Sequence, residues 1–137
     1  MEQRWINDEH QQIAQELIEE RDELALLRGS DVQIILLSSD LEKKQNDRII
    51  YGQCEKVPSK YKWGIPCDFT ITIFDKNITD FSDKQLRILI FHELLHVGVD
   101  DERLFIRPHD LEDFKLIISE FGVDWDKPEW EQTRLEI

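Results

Sequence analysis

Apolar residues near the start of the chain recur at a spacing that is typical of an amphipathic helix. They are Ile13, Leu17, Leu24 and Leu27. Because residues three, four or seven positions apart lie on one face of a helix, the pattern predicts a helix over about residues 8–28. Asn7 is expected to cap its start and Gly29 to end it. His10 lies near the polar beginning of this helix, so we expect its side chain to be exposed.

Three later segments, residues 32–37, 48–57 and 69–74, have the composition of β-strands. The first is a continuous apolar run rich in β-branched residues, which predicts a largely buried strand. In the third segment, apolar residues alternate with Thr70 and Thr72, which predicts a strand with one solvated face. The middle segment is predicted as a strand that follows a polar connection.

The segment between the last two predicted strands, residues 58–66, is bounded by prolines and predicts a loop. It contains two large aromatic residues, Tyr61 and Trp63. We expect these side chains to fold back onto the sheet. Contact between the loop and a substrate is the alternative.

Residues 82–97 are strongly apolar and predict a buried helix. Ser82 is a good N-cap, and Gln85 three residues later completes a capping-box pattern. Apolar residues occupy nearly all sides of the helix, which is typical of a helix inside a core. Gly98 is expected to end it in a left-handed conformation.

After a polar connection at residues 99–107, a last helix is predicted over about residues 109–121. The acidic tail from about residue 123 is expected to pack loosely, although Trp125, Trp130 or both should contact the domain.

Together these elements predict a single α+β domain over residues 1–137. It would contain an N-terminal helix, a sheet of about three strands, the apolar helix and a C-terminal helix.

The chain carries 30 acidic and 17 basic residues, a formal net charge of −13. This charge repels phosphate backbones and anionic lipids, so nucleic-acid and membrane partners are not expected. The first residues lack the apolar core of a signal peptide, and no apolar run approaches membrane-spanning length. We therefore expect a cytoplasmic protein. Cys54 and Cys67 are then expected to be reduced and packed in the domain; a disulfide or a second metal site is the alternative.

His92, Glu93 and His96 form an HExxH sequence within the apolar helix. Residues four positions apart lie on one face of a helix, so both imidazoles can reach one metal ion. Glu93 falls near the same edge, where it can meet a water on that metal. Burial of these side chains would be costly without coordination or hydrogen bonds. The motif therefore predicts a Zn²⁺ site; two histidines with no ligand role are the alternative.

A catalytic zinc site of this kind needs a third protein ligand and leaves one position for water. His109 is the downstream histidine, and a helix–turn–helix return could bring it over the metal; capping the last helix is its alternative role. The rival ligands are acidic: Asp100, Asp101, Glu102, Asp110 and Glu112. Asp110 is either an N-cap for the last helix or a hydrogen-bond acceptor for a ligand imidazole.

Three neutral imidazoles would leave zinc its double positive charge, which acidifies the bound water. Glu93 would take the proton from that water as general base and pass it to the leaving amine. A further group usually stabilises the oxyanion. The candidates are Tyr51, Tyr61, Arg103 and Arg107.

The motif and the segments after it resemble the putative phage metallopeptidase family. The likeness lies in HELLH at residues 92–96, RPHDLEDF at residues 107–114 and FGVDW at residues 121–125. The resemblance implies zinc ligands at His92, His96 and His109, a catalytic Glu93 and a minimal zincin-like fold. SprT-like metallopeptidases are more distantly similar.

Zincins align an extended peptide by adding it to a sheet as a further strand. We therefore expect the strand at residues 69–74, with its threonine face, to lie at the sheet edge that faces the cleft.

The expected activity is that of a zinc metallopeptidase, an endopeptidase acting on protein or peptide substrates in a bacterial or phage-infected cell. One alternative is a regulatory protease specific for a single repressor-type partner. The other is a zinc-stabilised binding module without activity. Glu93 argues against the module, because a structural zinc site needs ligands but no general base.

Overall fold

Helices and strands mix along the chain, which gives an α+β fold. The structure, a computed structural model, describes residues 1–101, 103–108, 117, 120–122 and 125–127. In chain order the elements are β1 (Arg4–Ile6), α1 (Asp8–Glu20), α2 (Ala25–Arg28), β2 (Ile34–Ser39), β3 (Lys44–Gln45), β4 (Arg48–Ile49), β5 (Gly52–Lys56), β6 (Phe69–Phe74), α3 (Asp83–Leu95), β7 (Val97–Asp100) and β8 (Arg103–Ile106). None of the helices among these residues combines the length and the apolar composition that a transmembrane helix needs.

The main sheet has the strand order β1-β2-β6-β5. Strands β2 and β6 run parallel, and β1 and β5 pair antiparallel to them. The sheet thus has four strands among the described residues, one more than predicted. The additional strand is β1, which pairs Arg4 with Ser39. Its three residues are all exposed, so the sequence there lacks the apolar alternation that signals a strand.

Strand β6 lies inside the sheet, which overturns its predicted edge position. It pairs with β2 on one side and with β5 on the other. Thr72 is fully buried, and its hydroxyl accepts a hydrogen bond from Arg4 at 3.2 Å. A threonine face can therefore be covered by a side chain from another strand of the sheet, and it did not mark a solvated edge. Among the described residues, β5 is the strand that ends the sheet on this side.

The predicted N-terminal helix is interrupted after Glu20. Arg21 has an extended backbone conformation, and a short 3₁₀ turn leads into α2. Asn7 caps α1 as predicted, because its side chain accepts a hydrogen bond from the His10 amide at 3.0 Å. Gly29 follows the last residue of α2, also as predicted.

The prediction that His10 is exposed is wrong, because its side chain is 7% exposed. The start of α1 packs against β2, where the amide of the N-cap Asn7 donates to the Leu36 carbonyl at 3.0 Å. This contact covers the helix start despite its polar sequence. Burial lowers the pKa of His10, and the negative charges of Asp75 and Glu9 oppose that effect in part.

The apolar faces of α1, α3 and the sheet form one core. The fully buried large side chains include Leu36, Phe69, Ile71, Ile73, Ile90, Phe91 and Leu94. Trp125 is also buried, so the prediction that a tryptophan of the tail contacts the domain is confirmed. Trp130 and the rest of the tail after Lys127 lie outside the described residues. Cys54 and Cys67 are free, and Cys67 is buried.

Helix α3 begins as its sequence predicts. Ser82 accepts a hydrogen bond from the Gln85 amide at 3.2 Å, and the Gln85 side chain accepts one from the Ser82 amide at 2.8 Å. Its end differs from the prediction, because Gly98 lies in β7 and is not left-handed. The segment after the helix forms the β7–β8 hairpin, which turns at Asp101 with a φ of 52°.

Two loops also differ from expectation. Residues 44–49 form a small hairpin, β3–β4, whose turn residues Asn46 and Asp47 have φ values of 52° and 64°. The aromatic residues of loop 58–66 do not fold back onto the sheet, since Trp63 is 90% exposed and Tyr61 is 48% exposed.

Of the predicted last helix, Ile117, Glu120 and Phe121 are described and helical.

Candidate metal centre

The last turn of α3 presents His92, Glu93 and His96 together. Each offers a ligand atom, and these atoms all lie within 4.8 Å of one another. The two imidazole rings have centroids 5.2 Å apart and meet edge to face, at 68°. Glu93 is 4% exposed, whereas both histidines are partly exposed. The helical spacing in the sequence therefore brings the three side chains into one cluster.

The β7–β8 hairpin fixes the orientation of His96. Nδ1 of His96 lies 2.7 Å from the Arg107 carbonyl oxygen, and the Arg107 amide donates to the His96 carbonyl at 2.7 Å. A carbonyl can only accept, so Nδ1 carries the proton in this contact. The lone pair of the imidazole is then on Nε2, which is the tautomer of a metal-binding histidine held by a backbone carbonyl.

Strand β5 forms the wall beside Glu93. Gly52 approaches the Glu93 side chain so closely that a Cβ atom on Gly52 would lie 3.2 Å from Glu93 Cγ. Cys54 points to the same face, two residues further along the strand. Burial raises the pKa of the Cys54 thiol, and the negative charge of Glu93 raises it further. This thiol is therefore protonated at neutral pH.

The cluster opens into a cleft of about 1170 Å³. Its walls come from the β3–β4 hairpin, β5, α3, the end of β8 and the segment 125–127. The residues include Arg48, Ile49, Tyr51, Gly52, Cys54, His92, Glu93, His96, Ile106, Trp125 and Asp126. A cleft of this volume can take a segment of several residues of polypeptide.

Gln85 connects the start of α3 to one wall of this cleft. Its side-chain amide donates to the carbonyls of Trp125 and Lys127, at 3.1 and 2.6 Å. The Trp125 ring lies 6.3 Å from the His92 ring, centroid to centroid. Gln85, which helps to cap the helix, thus also holds the tryptophan whose ring lies beside His92.

Of the four residues considered as oxyanion donors, Tyr51 lines the cleft. Burial raises the pKa of Tyr51, and so do the charge and hydrogen bond of Asp126. Tyr61 is on the exposed loop, and Arg103 packs over the Phe105 ring. Arg107 reaches the site through its backbone.

Several predicted site residues fall outside this description. His109, Asp110, Glu102 and Glu112 are not among the described residues. Asp100 and Asp101 are described, but both are exposed and neither lines the cleft.

Sequence reasoning missed Gly52, Trp125 and Asp126 as cleft residues. The sequence does contain a clue to Gly52, since a glycine inside a predicted strand often marks a close approach by another group. The sequence contains no such clue to Trp125 and Asp126, because these residues are far along the chain from the other cleft residues.

The donor set fits a divalent transition metal. Two imidazoles one helical turn apart, one of them oriented by a carbonyl, are typical ligands of zinc. The C-terminal end of a helix also favours a cation, because the helix dipole is negative there. His92 and His96 could therefore hold a metal ion, with Glu93 beside it.

Comparison with known proteins gives one match. The model of the family described as putative phage metallopeptidase matches residues 3–134. The searches of curated proteins and of solved structures returned no match. The family match covers nearly the whole chain and includes the HExxH helix with its three clustered side chains. The chain therefore belongs to the putative phage metallopeptidase family.

Proposed function

We propose that this protein is a zinc-dependent endopeptidase. The observation that carries the proposal is the cluster of His92, Glu93 and His96 at the mouth of a polypeptide-sized cleft. The membership of a metallopeptidase family supports it. In this proposal residues 1–137 form one zincin-like domain, with an acidic tail from about residue 123.

His92, His96 and His109 are the proposed zinc ligands. Arg107 hydrogen-bonds to His96 in both directions, so the chain has returned to the end of α3 by this residue. Position 109 follows two residues later, and two residues span at most about 7 Å. The β7–β8 hairpin supports this ligand assignment, because it brings Arg107 back to the end of α3. Asp110 is retained as a hydrogen-bond acceptor for a ligand imidazole.

When bound, zinc supplies Lewis acidity, which polarises the scissile carbonyl and makes water more acidic. Glu93 is the proposed general base: its carboxylate takes a proton from the attacking water and passes it to the leaving amine. Its side chain is buried between α3 and β5, so its position is restricted. Tyr51 is the retained candidate for stabilising the oxyanion, since it lines the same cleft.

Strand β5 replaces β6 as the proposed binding edge for an extended substrate. It lines the cleft through Gly52, Gln53 and Cys54, and within the described residues it pairs with β6 alone. Backbone pairing on its outer edge would align a peptide beside Glu93. The proposed substrates are proteins or peptides in the cytoplasm of a bacterial or phage-infected cell, and the two free cysteines suit that compartment.

The test is hydrolysis by protein that has first been stripped with a chelator. A panel of denatured proteins is incubated with the stripped protein, with the stripped protein plus one equivalent of zinc, and with the stripped protein plus magnesium. Mass spectrometry then identifies new peptide termini. We expect internal cleavages that depend on zinc. Cleavage that is equally fast without zinc would contradict the proposal.

The alternatives give different results in the same experiment. Tight zinc binding without any cleavage would favour the non-catalytic binding module. Cleavage of one protein at one site, with the remaining panel intact, would favour the regulatory protease.

A further inference from the structure

Gly52 occupies a strand position at which a residue with a side chain would ordinarily be more stabilising than glycine. It is the first residue of β5 and pairs with Ile73 of β6. Glycine weakens a strand because it has more conformational freedom to lose on folding. Its φ angle lies outside the left-handed region, so other residues could adopt this backbone conformation. Glycine therefore occurs at this position because there is little room for a side chain.

The space is taken by two side chains. A Cβ atom at position 52 would lie 3.2 Å from Cγ and 3.4 Å from Cδ of Glu93, and 3.3 Å from Cδ1 of Ile73. The distances of 3.2 and 3.3 Å are shorter than ordinary carbon–carbon contacts, and the distance of 3.4 Å lies at their lower limit. A methyl group at position 52 would thus be wedged between the two side chains.

Ile73 can yield little, because it is fully buried in the central strand. Glu93 is held on one side by β5 but lines the cleft on the other, so its carboxylate can shift toward the cleft. The added methyl group would therefore displace Glu93 by a few tenths of an ångström.

We propose that Gly52 is a positioning residue for Glu93. Its missing side chain lets the Glu93 carboxylate lie against β5, and this contact sets where the carboxylate points. The inference rests on the proposed function for its effect on catalysis, because it assumes that Glu93 acts as the general base. The displacement itself does not depend on that assumption.

The first experiment compares Gly52→Ala with wild type. We expect kcat to fall about tenfold, since small errors in the placement of a catalytic group are costly. KM and zinc content should stay the same, because β5 is proposed to bind the substrate through its backbone and the metal is held by other groups. Gly29→Ala is the matched control: its Cβ would meet only one atom, at an ordinary 3.9 Å, and Gly29 does not line the cleft.

The second experiment asks whether relieving the crowding at position 52 restores kcat. Ile73→Val removes the Cδ1 atom on the far side of the added methyl group, which gives that group room to move away from Glu93. The Gly52→Ala/Ile73→Val double variant should recover most of the lost kcat. Ile73→Val alone should leave kcat unchanged, since Ile73 is a core residue.

Crystal structures of the metal-free variants give a readout apart from activity. They should show Glu93 displaced in Gly52→Ala and restored in the double variant. The inference is overturned if Gly52→Ala keeps wild-type kcat, if the folded double variant fails to recover, or if Glu93 does not move. Should wild type hydrolyse nothing, the proposed function fails, and the metal-free structures alone decide whether Gly52 positions Glu93.

Discussion

Helices α1 and α3 are alike in length and beginning but differ in what their histidines can do. Each has 13 residues and a polar N-cap side chain that accepts a backbone hydrogen bond. His10 lies in the first turn of α1, where the helix dipole disfavours a cation. His92 and His96 lie at the end of α3, where the dipole favours one.

The surroundings of these histidines also differ. Nδ1 of His10 is buried and has no hydrogen-bond partner within the described part of the chain, and His10 does not line the cleft. His96 is oriented by Arg107, and its neighbours on the helix face are His92 and Glu93. A buried histidine is therefore not enough to indicate a site. Convergence of several donors on an open cleft is the more informative feature.

The largest expected effect is on the zinc affinity of the protein, which should depend on a histidine of α3 and not on the histidine of α1. His96→Ala removes a proposed ligand, so zinc affinity should fall by more than about a hundredfold, beyond the loss caused by removing a supporting hydrogen bond. His10→Phe should leave the zinc affinity at its wild-type value. Competition with a chromophoric chelator measures both. Equal losses in the two variants would mean that the comparison is wrong.

A smaller effect, on stability and zinc affinity, is expected from a substitution in the β7–β8 hairpin. This hairpin directly follows α3, whereas no hairpin directly follows α1. A Cβ atom on Gly98 would lie 2.5 Å from the Phe105 ring, which faces it across β7 and β8. Gly98→Ala should therefore lower the free energy of unfolding by roughly 1–3 kcal/mol, the usual cost of overpacking. Because the same hairpin carries Arg107, zinc affinity should fall as well, by about tenfold.

Gly64→Ala is the control for this substitution, because nothing lies within 4 Å of the added Cβ atom. Denaturant unfolding of the metal-free proteins and chelator competition provide the two measurements. A Gly98→Ala variant with wild-type stability would show that the Phe105 ring is not held over the glycine.

The smallest expected effect concerns His10 and pH. Burial lowers the pKa of His10 in the fold below its value in the unfolded chain, about 6.5. The unfolded chain therefore binds the proton more readily, and stability is lost as the pH falls below about 6.5. One proton gives a slope of at most about 1.4 kcal/mol per pH unit.

His10→Phe should reduce this loss of stability in the metal-free protein. Chemical denaturation between pH 5 and pH 8 compares the two proteins, and the difference between their slopes isolates His10 from the other histidines. Superimposable pH dependences would show that His10 is accessible to protons in the fold.

Elements specified by local signals could be predicted from the sequence. Helix α3 was predicted with its N-cap because Ser82 and Gln85 satisfy each other within one turn. The clustering of His92, Glu93 and His96 followed from helical periodicity alone.

Features decided by distant contacts could not be predicted in this way. The interior place of β6 in the sheet depends on its pairing with β2 on one side and β5 on the other. The burial of His10 depends on the contact between α1 and β2. Periodicity reports which residues share a face, but it does not report which element covers that face.

The most direct test of the central claim is Glu93→Gln, with zinc and turnover measured on the same samples. Glutamine keeps the size of the side chain but cannot accept the proton of the attacking water. We predict one equivalent of zinc in both proteins and a fall in turnover of at least roughly a hundredfold, as expected for loss of general-base catalysis. Glu19→Gln, an exposed change on α1, should be silent. Wild-type turnover by Glu93→Gln at full zinc occupancy would contradict the account.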